Sequence, residues 1–97
     1  MQIKQTAMAG TLESSDIQIM LSQGEKGITF DLTSDVKKQF GDAIKKTIQD
    51  VLASYQIDDV MVKVVDKGAL TPVIKARAIT VVQRAMDQKD QPNWEVL

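Results

Sequence analysis

Asp16-Ile17-Gln18-Ile19-Met20-Leu21-Ser22 sets Ile17, Ile19 and Leu21 on one side of an alternating run. A period of two is the pattern of a strand with one buried face. Gln23-Gly24-Glu25-Lys26-Gly27 follows as a turn signal with two glycines, and Ile28-Thr29-Phe30-Asp31-Leu32 alternates again. Two such runs about a five-residue, glycine-containing loop read as an antiparallel hairpin. Ile28 and Phe30 would pack inward while Thr29 and Asp31 face water.

Downstream the period changes. Thr33-Ser34-Asp35 reads as a helix start, with Ser34 accepting from the free N–H groups of the first turn and Asp35 at the positive end of the dipole. Val36, Phe40, Ile44, Ile48, Val51, Leu52 and Tyr55 then form an apolar stripe, which predicts a long amphipathic helix over about Asp35 to Tyr55. Asp58-Asp59 breaks that pattern and reads as a solvated loop or strand cap. Val60, Val62 and Val64 alternate with Met61, Lys63 and Val65, giving a further β-branched strand. Asp66-Lys67-Gly68 is a turn, and Thr71-Pro72 reads as an N-cap followed by proline at the first helical position. Ile74, Ala78, Val81, Val82 and Ala85 make the apolar face of a second helix ending near Met86. The last residues, about 87–97, are a polar, proline-containing tail with Trp94 near its end.

Upstream, Thr6 to Leu12 can supply one more short strand. The sum is an α+β fold of order ββαβα: a small antiparallel-type sheet, hairpin plus further strand, with two helices on one face. Residues 1–97 are expected to form a single domain, since 97 residues support one modest core.

Composition excludes more chemistry than it suggests. Twelve basic and thirteen acidic residues leave a net charge of −1, with no basic block to meet nucleic acid or an anionic membrane. The chain has no Cys, hence no disulfide and no thiolate ligand, and no His, the commonest general base and metal ligand. A serine nucleophile needs a base within hydrogen-bond reach. Lys4 or Lys67 are the candidates, and no spacing nominates either. Glu13 and Asp16 with two hydroxyls between them make a weak cation cage at most. Met1-Gln2-Ile3-Lys4-Gln5 is too polar to open a signal peptide, and no apolar run reaches a membrane span; the expectation is a cytoplasmic protein.

One stretch remains. Gly10-Thr11-Leu12-Glu13-Ser14-Ser15-Asp16 places two serines between two carboxylates just before the first clear strand. By composition it is a solvated turn. It is also a place where an accessible hydroxyl can hold chemistry that the chain lacks. Ala9 to Asp16 resembles the attachment site of the citrate lyase acyl carrier protein family, the gamma subunit of that enzyme. Met1 to Ala9 resembles the N-terminus of that family, Lys38-Gln39-Phe40-Gly41-Asp42-Ala43-Ile44 and Ile48-Gln49-Asp50-Val51-Leu52 its long helix, and Asp66-Lys67-Gly68-Ala69-Leu70 with Ala76-Arg77-Ala78 its C-terminal half. Some members have Gly where this chain has Ser15.

The resemblance implies a non-catalytic carrier with no metal site. The first serine of the motif in that family carries a phosphodiester-linked prosthetic group of the 2'-(5''-triphosphoribosyl)-3'-dephospho-CoA type, and the matching position is Ser14. It further implies three partners: an alpha subunit that exchanges acetyl for citrate, a beta subunit that cleaves the citryl thioester to oxaloacetate, and a transferase that loads the group. The setting would be citrate fermentation. Two other readings stand beside it: the carrier of a citramalate-type lyase, and a small interaction domain with an unmodified Ser14.

Overall fold

The computed structural model describes residues 3–34 and 41–86. Four strands and two helices follow one another: β1 (Ala7–Gly10), β2 (Ile17–Gln23), β3 (Ile28–Ser34), α1 (Gly41–Ser54), β4 (Val60–Asp66) and α2 (Thr71–Ala85). The α+β class, the strand expected between Thr6 and Leu12, and both helices on one sheet face agree with the alternation and the helical stripes. Asp35, Val36 and Phe40, expected in the first helix, lie outside the described residues, as do the tail and Trp94.

The pairing differs from the sequence reading. The sheet order is β1-β2-β4-β3, so β2 and β3 are not a hairpin. β4 lies between them, antiparallel to β2 and parallel to β3, with Leu21 and Phe30 both opposite Val62. Alternation specifies which face of a strand is buried and says nothing about its neighbour. The loop after β2 is long enough to step across one strand, about 10 Å for two strand spacings. It does so over the start of β4. The Gly27 carbonyl accepts from Val60 N–H at 3.1 Å, and Gly27 N–H donates to Asp59 Oδ1 at 2.7 Å. A Cβ on Gly24 would stand 2.8 Å from Val60 N, so only glycine permits the crossing there. β3, α1 and β4 thus form a parallel βαβ unit, the connection that a parallel pair requires.

The buried face of the sheet is built as the alternation predicts. Ile17, Ile19 and Leu21 on β2 and Val60, Val62 and Val64 on β4 are fully buried. Ile28, Phe30 and Leu32 point the same way but are half-buried, because β3 is an edge strand. Against them pack Ile44, Ile48, Val51 and Leu52 of α1, and Ile74, Ala78, Ile79, Val81, Val82 and Ala85 of α2. Each fully buried Ile, Leu or Val contributes about 1.5–3 kcal/mol. The opposite sheet face is open, with Met8 and Met61 about half exposed.

Helix ends show two further differences. Ser34 is the last residue of β3, and its hydroxyl donates to Asp66 Oδ2 at 2.9 Å. Thr71 is inside α2; the cap position is Leu70, with no side-chain cap, and Pro72 sits in the first turn. The β4–α2 turn is closed by the buried carboxylate of Asp66, whose Oδ1 accepts from Gly68 N–H at 3.2 Å and Ala69 N–H at 3.0 Å. That closure lets the chain enter the helix without help from Thr71. At the other end, α1 stops because Gln56 adopts φ +59. Ile57 N–H then reaches back to Leu52 O at 3.0 Å and Gln56 N–H to Ala53 O at 3.0 Å, the left-handed C-terminal motif.

Candidate functional site

The connection from β1 to β2 begins with a glycine that no other residue can replace. Gly10 has φ +90, and a Cβ on it would lie 1.7 Å from the carbonyl oxygen of Ile17. Thr11 to Ser15 then leave the sheet and are exposed, while Asp16 and Ile17 return to it buried.

Asp16 holds the loop shut. Its Oδ2 accepts from Thr11 Oγ1 at 2.6 Å and from Thr11 N–H at 3.2 Å, so one carboxylate oxygen closes the loop onto its own first residue. Its Oδ1 accepts from Ile17 N–H at 2.7 Å. Arg77, arriving from α2, grips both oxygens: Nε donates to Oδ1 at 3.1 Å and Nη2 to Oδ2 at 2.9 Å. The Asp16 side chain is only 12% exposed. The Thr11 hydroxyl, the Arg77 fork and the Ile17 amide hold its carboxyl well below the usual carboxylate range, against the opposing effect of burial. The reading of Gly10 to Asp16 as a solvated turn therefore holds for Thr11 to Ser15 and fails at Asp16, which is buried. Glu13, the other carboxylate of the weak cation cage, is exposed.

Within this frame Glu13 to Asp16 form a tight turn, with Asp16 N–H donating to Glu13 O at 3.1 Å. Ser15, third in the turn, has φ +68, while Ser14 does not share the positive φ, which is the pattern of a type II turn. Glycine is favoured at that third position because it pays no steric penalty there. Ser15 N–H also donates to Lys67 O at 2.7 Å, and Lys67 N–H to Asp16 O at 2.9 Å. Lys67, a candidate base by composition, thus meets the loop through its backbone.

Ser14 stands exposed at the second position of the turn, with fixed backbone on either side. A large substituent on its oxygen projects into solvent and displaces nothing from the core, so the site fits a covalently attached group. Clefts of about 470, 270 and 530 Å³ lie between α1 and α2, at the β4–α2 turn, and at the end of α1 beside Ile28, and residues 11–16 line none of these three. Among the described residues no group of three or more acidic side chains is placed to hold a metal ion. Arg77 lies in Ala76-Arg77-Ala78, where no motif of its own points to the loop. The one local signal for it was an Asp placed directly before a strand whose next side chain is buried.

A scaffold that displays hydroxyls on a braced turn, in a chain with neither thiol nor imidazole, suits a carrier domain. The family model described as malonate decarboxylase delta subunit (MdcD), an ACP family, matches residues 4–85. Citrate lyase acyl carrier proteins match over the whole of both chains, with 73% identity in Leuconostoc citreum, 66% in Leuconostoc mesenteroides subsp. cremoris and 57% in Lactobacillus acidophilus. The chain belongs to the family of citrate lyase acyl carrier proteins, and is a carrier subunit rather than a catalytic one.

Solved structures agree on the fold. A chain of a Pseudomonas malonate decarboxylase hetero-tetramer superposes with a TM-score of 0.74 at 15% identity, over 87% of each chain. A homoserine kinase from Cytophaga hutchinsonii shares the arrangement at a TM-score of 0.54 and 12% identity, over 91% of this chain and 36% of the kinase.

Proposed function

We propose that Ser14 is the attachment point of a dephospho-CoA-derived prosthetic group, joined as a phosphodiester, and that residues 1–97 work as one carrier domain of a citrate lyase complex. The observation behind this reading is the exposed Ser14 hydroxyl on a turn braced from both sides, in a chain without Cys or His. When attached, the group supplies the thiol on which acetyl and citryl esters are presented to the alpha and beta subunits. The protein's own part is mechanical. The turn holds the Ser14 oxygen clear of the core, Gly10 and Asp16 close the loop beneath it, and α1 and α2 keep the sheet rigid.

Full-length identity to citrate lyase carriers favours citrate over citramalate as the substrate of the complex. The proposed setting is the cytoplasm; among the described residues no helix is long and apolar enough to cross a membrane.

Intact-mass analysis and peptide fragmentation of protein from its native host test the attachment. A nucleotide-containing adduct on Ser14 is expected; an adduct on Ser15, or none, overturns it. Reconstitution with the two larger subunits tests the role. Loaded protein should support citrate cleavage, while unloaded and Ser14→Ala protein should not. Equal turnover with all three would leave an unmodified interaction domain as the better account.

A further inference from the structure

We infer that Arg77, acting through Asp16, is a positioning residue that holds the Ser14 turn in the shape from which the loading transferase accepts it. This rests on Ser14 being the attachment site.

Arg77 makes a two-point contact with a carboxylate sixty-one positions away, from the flank of a helix whose other face is core. The Arg77 side chain is itself 39% exposed, so it adds little to that core. What it fixes is the plane of the Asp16 carboxylate. The planar guanidinium matches both oxygens at once, which a lysine ammonium cannot do. The carboxylate plane in turn sets Thr11 at one end of the loop and Ile17 at the other. Within the loop, Glu13, Ser14 and Ser15 are tied to the body of the protein through the 2.7 Å bond from Ser15 N–H to Lys67 O. Ser15 also sits at φ +68, a conformation that a non-glycine residue leaves readily when its surroundings relax. The turn is therefore a strained element kept in place by a clamp, and the clamp is Asp16 held by Arg77.

Loading replaces the Ser14 O–H bond by an O–P bond. A phosphoanhydride bond of the triphosphate-bearing donor breaks, pyrophosphate leaves, and the hydroxyl proton passes to the transferase or to water. Arg77 touches none of the reacting atoms. If the turn populates the accepted shape only part of the time, the apparent affinity falls by that fraction, while the rate from the bound state is kept. The signature of a positioning role is thus a raised KM for the carrier at nearly unchanged kcat.

The experiment follows loading of the full chain by intact mass, using the transferase and its triphosphate-bearing dephospho-CoA donor, with wild-type, Arg77→Ala, Arg77→Lys and Arg84→Ala proteins well below their melting temperatures. Arg84 is the comparison because it also ties α2 to the first strand, Nη1 donating to Met8 O at 2.8 Å, but does not touch the loop. Arg77→Ala is expected to lower kcat/KM by about 10- to 100-fold, mostly through KM. Arg77→Lys should recover part of the loss, and Arg84→Ala should load like wild type. Amide exchange at Ser15 and Ile17 should quicken in Arg77→Ala alone. Wild-type KM in Arg77→Ala, or an equal loss in Arg84→Ala, overturns the inference. Failure of the transferase to load wild-type protein on Ser14 overturns the attachment reading itself, and the inference with it.

Discussion

Ser34 and Asp66 face each other at the matched ends of the parallel strands β3 and β4, joined by a 2.9 Å bond from the serine hydroxyl to Oδ2. The same carboxylate closes the turn into α2 through Gly68 and Ala69. Asp66 is 1% exposed, and removing it takes the acceptor from three part-buried donors, the Ser34 hydroxyl and the Gly68 and Ala69 amides. Asp66→Ala is expected to destabilise the fold by about 2–3 kcal/mol. Urea denaturation measures it, and Ser34→Ala, which leaves the turn bonds in place, should cost about 1 kcal/mol.

Ser15 gives the opposite expectation. Its left-handed backbone costs a side-chain-bearing residue about 1–2 kcal/mol, offset in part by the greater unfolded-state freedom of glycine. Ser15→Gly should hold or raise stability by up to about 1 kcal/mol, and Ser15→Val should lower it. Ser14→Ala, at a solvated position, should change it by no more than about 0.5 kcal/mol. Denaturant midpoints of the three variants separate these outcomes.

Asp16 makes stability depend on acid. Its folded-state pKa is depressed, so the unfolded chain takes up the proton first. The network is fully stabilising above about pH 4, the unfolded carboxyl range, and is lost as pH falls through the lower folded value. Wild-type melting temperature should drop more steeply between pH 5 and pH 2 than that of Asp16→Asn, which has no such proton to gain. Parallel curves would show that the carboxylate contributes nothing by its charge.

Leu52 lies at 0% exposure on α1, against the sheet. Leu52→Ala should cost about 2–5 kcal/mol, a large share of the stability of so small a domain. Met61 on the open face is 48% exposed, and Met61→Ala should stay within about 0.5 kcal/mol. Thermal melts of the two show whether the sheet has one buried face.

Much of this fold was legible because burial writes a period into the sequence. Ile17, Ile19 and Leu21, or Ile44, Ile48 and Leu52, announce both the element and its inner face. Strand partners leave no such mark. Nothing in the alternation of Ile28 to Leu32 distinguishes a neighbour seven residues upstream from one thirty residues downstream. What separates the two strands is a crossing at Gly24 and Gly27 that looks like any hairpin turn. The candidate site divides in the same way. Ser14 stands in a recognisable string of turn residues, whereas the Asp16–Arg77 pair joins residues far apart in the chain through a contact that only folding creates.

The central place of β4 also sets an order of events during synthesis. β2 and β3 are both made before the strand that lies between them, and α1 comes off the ribosome with no completed sheet to cover. Until Val60 to Asp66 emerge, β3 has no partner on either side, and the inner edge of β2 is open. The nascent first half is therefore a set of unpaired edges with apolar faces, the kind of surface that pairs with strands of other chains. A fragment ending before β4 would be a source of aggregation, and the late strand is what closes the edges of β2 and β3.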